Sequence, residues 1–181
     1  MIKTRIPKRR VFNIIYSVKE LSRYMDKLPN VDECYKFVST GGFSSISFVK
    51  FVADRTKINE MAATTLRVGR KELECLDRLK KYGKLDRCFF IVGGIMANDG
   101  KKGKVYRYYE DFEAVCRNNG WEYKATTNHS KIILMDTEAG KYVLETSSNL
   151  NENPKMEQFS FENNQALFDF YREWIMDVMR C

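Results

Sequence analysis

The sequence predicts an α/β domain built on a mixed, largely parallel β-sheet sandwiched between helices, and three observations carry that expectation. Strand-like runs at 33–39, 58–66 and 88–96 alternate with segments of helical periodicity. Strands joined through helices need crossover connections, which leave them parallel. The run 88–96 is continuously apolar, the pattern of a strand covered on both faces. In the last third the order changes to consecutive strands at 131–135, 141–145 and 158–162, with Ala139-Gly140-Lys141 as the hairpin turn between the first two.

Residues 1–10 carry five cationic side chains and Pro7 and read as a basic flexible arm, leaving 11–181 as a single domain. Val11, Ile14, Ile15, Val18, Leu21, Met25 and Leu28 recur at helical spacing. With Ser17 and Glu20 as a capping box they predict a helix over 18–27, and 11–16 is left unassigned. The strand at 33–39 stops at Gly41-Gly42, after which Ser44 or Ser45 caps a helix that turns Ile46, Val49 and Val52 inward. Gly69 to Glu72 leads into a helix with Leu73, Leu76 and Leu79 on one face. A helix over 106–118 and a strand over 122–127 follow the central apolar strand. The helix 167–179 closes the chain with Leu167, Phe170, Tyr171, Trp174, Ile175 and Val178 toward the core.

Several loops invite functional assignment. The basic stretch 98–104 follows a strand, and open α/β sheets gather ligands beyond the carboxyl ends of their strands. A solvated surface loop explains it equally well. Gly93-Gly94 lacks the spacing of a phosphate-binding loop and is assigned to packing. Gly41-Gly42-Phe43-Ser44-Ser45 and Thr64-Thr65 stand at strand ends, where turns and caps account for them as well as a cleft would.

Composition narrows the class of partner. At 181 residues with 44% hydrophobic side chains and 3 prolines, the chain is a packed domain rather than a disordered one. Cys34, Cys75, Cys88, Cys116 and Cys181 show no C-x-x-C spacing, which points to free thiols in a reducing cytoplasm and to no zinc site. The charged N-terminus is not a signal peptide, and no apolar run reaches transmembrane length, so no stable membrane association is expected. The net charge of +7, from 31 basic and 24 acidic residues, suits a polyanion, with nucleic acid ahead of an acidic membrane surface.

The chemistry concentrates around the single histidine, His129, which opens the pattern H-x-K-x4-D through Lys131 and Asp136 and is followed by Ser147-Ser148-Asn149. A neutral imidazole can attack phosphorus and split one difficult displacement into two easier ones, with no metal or other cofactor required. Lysine, asparagine and hydroxyl groups can hold the charge on the phosphoryl oxygens, and Lys131, Asn149 and Ser147 supply that set. In an extended segment His129 and Lys131 share one face, whereas Asp136 points the other way and suits a structural role.

These residues resemble the HKD motif of the phospholipase D superfamily. The tail from Asn128 through Thr146-Ser147-Ser148-Asn149-Leu150 to Glu157-Gln158 and Phe170-Tyr171-Arg172-Glu173-Trp174-Ile175 is similar to small phage and bacterial members with one motif per chain. The resemblance implies a phospholipase D-like fold and a metal-independent phosphodiesterase, with His129 as nucleophile and Lys131, Ser147 and Asn149 on the phosphate. It further implies Glu157 as the carboxylate that orients the histidine and Asp136 as the motif's structural aspartate. Thr146 departs from the family pattern, which usually has glycine there. One motif per chain implies a homodimer with a shared site, because leaving-group protonation needs a second imidazole. The favoured substrate is nucleic acid. A phospholipase and a nucleic-acid-binding module without turnover are the alternatives.

Overall fold

The computed structural model describes residues 9–15, 21–97, 106–152 and 154–181. In chain order these form β1 (Arg9–Ile15), a 3-10 turn (Leu21–Arg23), β2 (Glu33–Ser39), α1 (Ile46–Ala53), β3 (Ile58–Thr65), α2 (Arg70–Lys81), β4 (Leu85–Gly93), α3 (Tyr109–Asn119), β5 (Glu122–Thr126), β6 (Ile132–Thr137), β7 (Gly140–Thr146), β8 (Glu157–Asn163) and α4 (Gln165–Arg180).

One eight-stranded sheet runs in the order β1-β2-β8-β7-β6-β3-β4-β5. The pairs β1–β2, β3–β4 and β4–β5 are parallel, while β2–β8, β8–β7, β7–β6 and β6–β3 are antiparallel. The expected largely parallel sheet is therefore corrected to a mixed one in which antiparallel pairs predominate. The cause lies in the consecutive strands of the last third. The tight β6–β7 hairpin and the return into β8 insert two reversed strands, β6 and β8, into the middle of the sheet. The other six strands point the same way, so the carboxyl ends of β2, β3, β4, β5 and β7 meet the starts of β6 and β8 along one edge.

The two faces are packed differently. Phe48 of α1 sits 5.3 Å from Phe161 and 5.4 Å from Phe159 of β8, and Phe43 meets Phe159 edge-on at 5.4 Å. Together with Phe37, Tyr142 and the buried faces of α2 and α3, these rings form the main core. On the opposite face α4 buries Phe168 and Ile175 against Ala62, Ile91, Ile132, Leu134 and Val143. This second layer is incomplete. Phe12, Ile14 and Val38, on β1 and β2 at the far side of the sheet, are 72%, 50% and 48% exposed. Among the described residues, helices pack on both faces, and α4 leaves these β1 and β2 side chains uncovered.

A buried carboxylate fastens α4 to the sheet. Glu60 of β3 is 3% exposed and accepts from Arg172 Nε of α4 at 2.7 Å, with Arg87 of β4 at 3.1 Å. Removing Glu60 would leave two cations without their common partner.

Three sequence expectations are corrected locally. Arg9 and Arg10, assigned to the arm, begin β1, while residues 1–8 lie outside the described residues. The helix expected over 18–27 is a 3-10 turn at Leu21–Arg23 followed by turn and bend, with 16–20 outside the described residues. Val11 and Ile15 face the core as alternate residues of a strand, and Phe12 and Ile14 face away, so a β alternation lay beneath the helical spacing. On α4, Phe170 and Trp174 are exposed. Phe170 stands two residues, about 200°, from the buried Phe168 and so points away from the sheet. The loop 98–104 lies outside the described residues.

Candidate active site

His129 lies between β5 and β6 on the shared carboxyl edge and is exposed. Its neighbours hold the loop from both sides. Asn128 Nδ2 donates to the carbonyls of Thr65 at 3.1 Å and Ile91 at 3.2 Å, anchoring the loop to the ends of β3 and β4. Asn128 Oδ1 accepts from Ser130 N at 3.0 Å and from the Ser130 hydroxyl at 2.6 Å. The Ser130 hydroxyl lies 2.9 Å from Thr64 Oγ1, which accepts from Ile132 N at 3.1 Å. Ser130 has one hydroxyl proton, so when it is directed to Asn128 the Thr64 hydroxyl donates to Ser130. Asn128, Ser130, Thr64 and Thr65 are positioning residues that the motif alone does not reveal. A buried threonine at the end of a strand was the available signal for Thr64 and Thr65.

Lys131 folds back on the histidine. Its Nζ donates to the His129 carbonyl at 2.6 Å and lies 3.1 Å from His129 Nδ1. An ammonium has no acceptor, so it donates to Nδ1, and the neutral ring then carries its proton on Nε2. Burial pushes the Lys131 pKa down, with nearby Glu157 acting in the opposite direction.

The second half of the site is the turn after β7. Thr146 N donates to the Lys131 carbonyl at 3.1 Å, tying this turn to the lysine. The Ser147 hydroxyl is bonded to Glu157 Oε2 and accepts from Gln158 N at 3.1 Å. The proposed phosphate ligand and the proposed orienting carboxylate therefore meet each other directly. Asn149 Oδ1 accepts from Leu66 N at 3.2 Å, which fixes the amide and leaves Nδ2, its donor end, with no partner among the described residues.

Thr146 fits without a glycine-like backbone. Among the described residues, Asp32 is the one non-glycine residue with positive φ. The Thr146 hydroxyl donates to the Gln158 carbonyl at 2.8 Å and accepts from Ser148 N at 2.9 Å, closing the turn that presents Ser147. Asp136 lies at the far end of β6, where it pairs with Lys141 across the hairpin. It stands apart from the chemistry-bearing groups. Gly93 is fixed by packing, because a Cβ there would meet Leu66 Cδ1 at 2.6 Å and the Leu66 carbonyl oxygen at 2.8 Å. Among the described residues no group of three or more His, Cys, Asp or Glu side chains could hold a metal ion.

No family model and no curated protein matches the sequence. Two solved structures are similar in fold. Phosphatidylserine synthase of Haemophilus influenzae Rd KW20 superposes with a TM-score of 0.55 at 18% identity, over 81% of this chain and 38% of its own. Polyphosphate kinase of Porphyromonas gingivalis superposes with a TM-score of 0.58 at 14% identity, over 86% of this chain and 28% of its own. The chain therefore spans well under half the length of either. The eight-stranded mixed sheet with its four helices has the fold of these two structures.

Proposed function

We propose that the chain is a phosphodiesterase acting through a phosphohistidine at His129, with nucleic acid as substrate and a second copy completing the site. The observation that carries this reading is the assembly on one edge of His129 with Lys131, and of Ser147 with Glu157, joined by the hydrogen bond from Thr146 N to the Lys131 carbonyl.

The resting geometry sets the order of events. With Lys131 on Nδ1, the neutral ring holds its proton on Nε2 and has no lone pair there for attack. A phosphate oxygen competes for the ammonium, and Lys131 leaving Nδ1 lets the proton move to that nitrogen. Nε2 then attacks phosphorus, the N–P bond forms, and the bond from phosphorus to the leaving oxygen breaks. Lys131 and Asn149 Nδ2 donate to the non-bridging oxygens as charge builds. The leaving oxygen takes a proton from a general acid. In the second half water attacks phosphorus, gives its proton to that same group, and breaks the N–P bond.

The general acid is assigned to His129 of a second copy, since the chain holds one histidine. The uncovered face supports this. Phe12, Ile14 and Val38 lie exposed there. Val38 also lines a cavity of about 450 Å³ that reaches Lys131, Thr146, Gln158 and Tyr171. A second copy seated on that face would cover the apolar side chains next to the site.

The test is cleavage of labelled DNA and RNA in EDTA by the wild type and by His129→Ala, beside a small chromogenic phosphodiester and a phospholipid. The expected result is EDTA-resistant nucleic-acid cleavage that the substitution abolishes. Cleavage of phospholipid alone would replace the nuclease reading with a phospholipase one. Salt-sensitive binding without turnover of any substrate would leave a binding module.

A further inference from the structure

A second cleft opens on the same edge as the candidate active site, between the start of α2 and the segment before α3. Its volume is about 460 Å³, and Arg70, Tyr106, Arg107, Tyr108 and Asn151 line it together with two carboxylates, Glu72 and Glu152, the latter paired with Lys71 at 3.1 Å. The rings of Tyr106 and Tyr108 meet at right angles, with centroids 5.6 Å apart. A guanidinium lies against each: Arg107 is 4.5 Å from the Tyr108 centroid and Arg67 is 5.7 Å from that of Tyr106. Arg67 and Arg107 pair with no carboxylate among the described residues, so their charge is available to a ligand. Tyr106 N donates to the Met96 carbonyl at 3.0 Å, which ties the first ring to the end of the β4 turn.

Three consecutive residues link this platform to the active site. Thr65 accepts from Asn128, Leu66 donates to Asn149, and Arg67 stacks on Tyr106. Thr65 and Arg67 are two residues apart, roughly 7 Å of extended chain. Asn151, two residues beyond Asn149, lines the cleft as well. The two clefts are thus joined along one edge by a continuous run of backbone, and a polymer whose phosphate sits at His129 can extend toward the tyrosines.

Flat rings alternating with guanidinium groups match unpaired bases joined by phosphates. Every base has a face to stack on a tyrosine, and every linkage carries a charge for an arginine. A base-paired duplex keeps its bases inside the stack and cannot use such a platform. We propose that Arg67, Tyr106, Tyr108 and Arg107 form a stacking subsite for an unpaired nucleotide on the strand that enters the candidate active site, making the substrate a single strand or a single-stranded end. This rests on the nucleic-acid reading above and deepens it.

The test separates the two by measuring binding without turnover. A single-stranded oligonucleotide carrying 2-aminopurine is titrated into His129→Ala protein, and its fluorescence and anisotropy are compared with those of the matching duplex. Quenching of the probe and tighter binding of the single strand are expected. Tyr108→Ala and Tyr106→Ala should each weaken single-strand binding about tenfold, the scale of one lost base stack, and leave duplex binding unchanged. Tyr108→Phe, which keeps the ring, should bind like its parent. Thermal melting of each variant guards against loss of fold. Equal binding of single strand and duplex, an unquenched probe, or alanine variants that bind like the parent would each overturn the subsite. Wild-type cleavage in EDTA is read separately. A protein that cleaves while the alanine variants bind normally disproves the subsite alone, and one that binds in the expected way without cleaving disproves the phosphohistidine reading alone.

Discussion

At Lys131, burial lowers the pKa of an ammonium that, in the proposed mechanism, must stay charged to hold phosphate. Loss of that proton removes the interaction, so kcat/KM should fall as pH rises, with a midpoint below the usual lysine value of about 10.4. Lys131→Arg keeps its charge at any accessible pH and should remove the Lys131 step at the alkaline end, leaving the limb set by the general acid in place, at some cost in rate from the altered geometry. Thr146 supports a second expectation. Thr146→Gly removes both hydroxyl hydrogen bonds of the turn and should destabilise the fold by about 1–2 kcal/mol without raising kcat/KM. Denaturant unfolding and steady-state rates check the two halves of that statement. At this scale residue type singled out His129 and Lys131 in the sequence, and the structure sets Lys131 Nζ 3.1 Å from His129 Nδ1. The support beneath them was hidden, because the bonds from Asn128 and Ser130 reach Thr64, Thr65 and Ile91, residues 37 to 66 positions away.

Among the elements, the strands with long apolar or β-branched runs were legible, since a buried strand leaves a pattern no loop would need. The observed β2, Glu33–Ser39, coincides with the predicted one. β1 was missed because Val11, Ile14 and Ile15 fit both a helical row and a partly covered edge strand, and the neighbouring β2 decides between them. The direction of the sheet was misread for a related reason. Crossover helices argue for parallel pairs one at a time, whereas strand order depends on where β8 inserts, between β2 and β7. The face of α4 was read too broadly, since Phe170 and Trp174 match the composition of a core stripe and not its angle. That helix is held by the Glu60 carboxylate, which Arg172 and Arg87 share. Glu60→Gln should lower stability by about 2 kcal/mol, a value reduced from that of a fully buried pair because both arginines are partly solvated. The shift in the urea midpoint reads it directly.

The whole molecule combines an apolar face left open by the described residues with an edge that carries His129, Lys131, Ser147 and Asn149. If a second copy covers Phe12, Ile14 and Val38, then Phe12→Asp with Ile14→Asp should shift sedimentation from dimer to monomer and reduce turnover at least tenfold, with the melting profile of each monomer retained. A fully active monomer would show that the second acid comes from elsewhere. The excess of positive charge should make binding of any polynucleotide weaken steeply with salt, as phosphate contacts release counterions. Both properties concern surfaces, where residue types are loosely constrained, and the sequence alone could not locate either surface.

The account turns on a covalent bond between His129 and phosphorus. Rapid acid-free quenching of a reaction with phosphorus-labelled substrate, followed by proteolysis and mass spectrometry, tests it most directly. A phosphoramidate on the peptide containing His129, stable to alkali, lost in acid and absent from His129→Ala, is the expected result. Turnover of the same substrate with no label on the protein at any quench time would contradict it and place the attack on phosphorus with water.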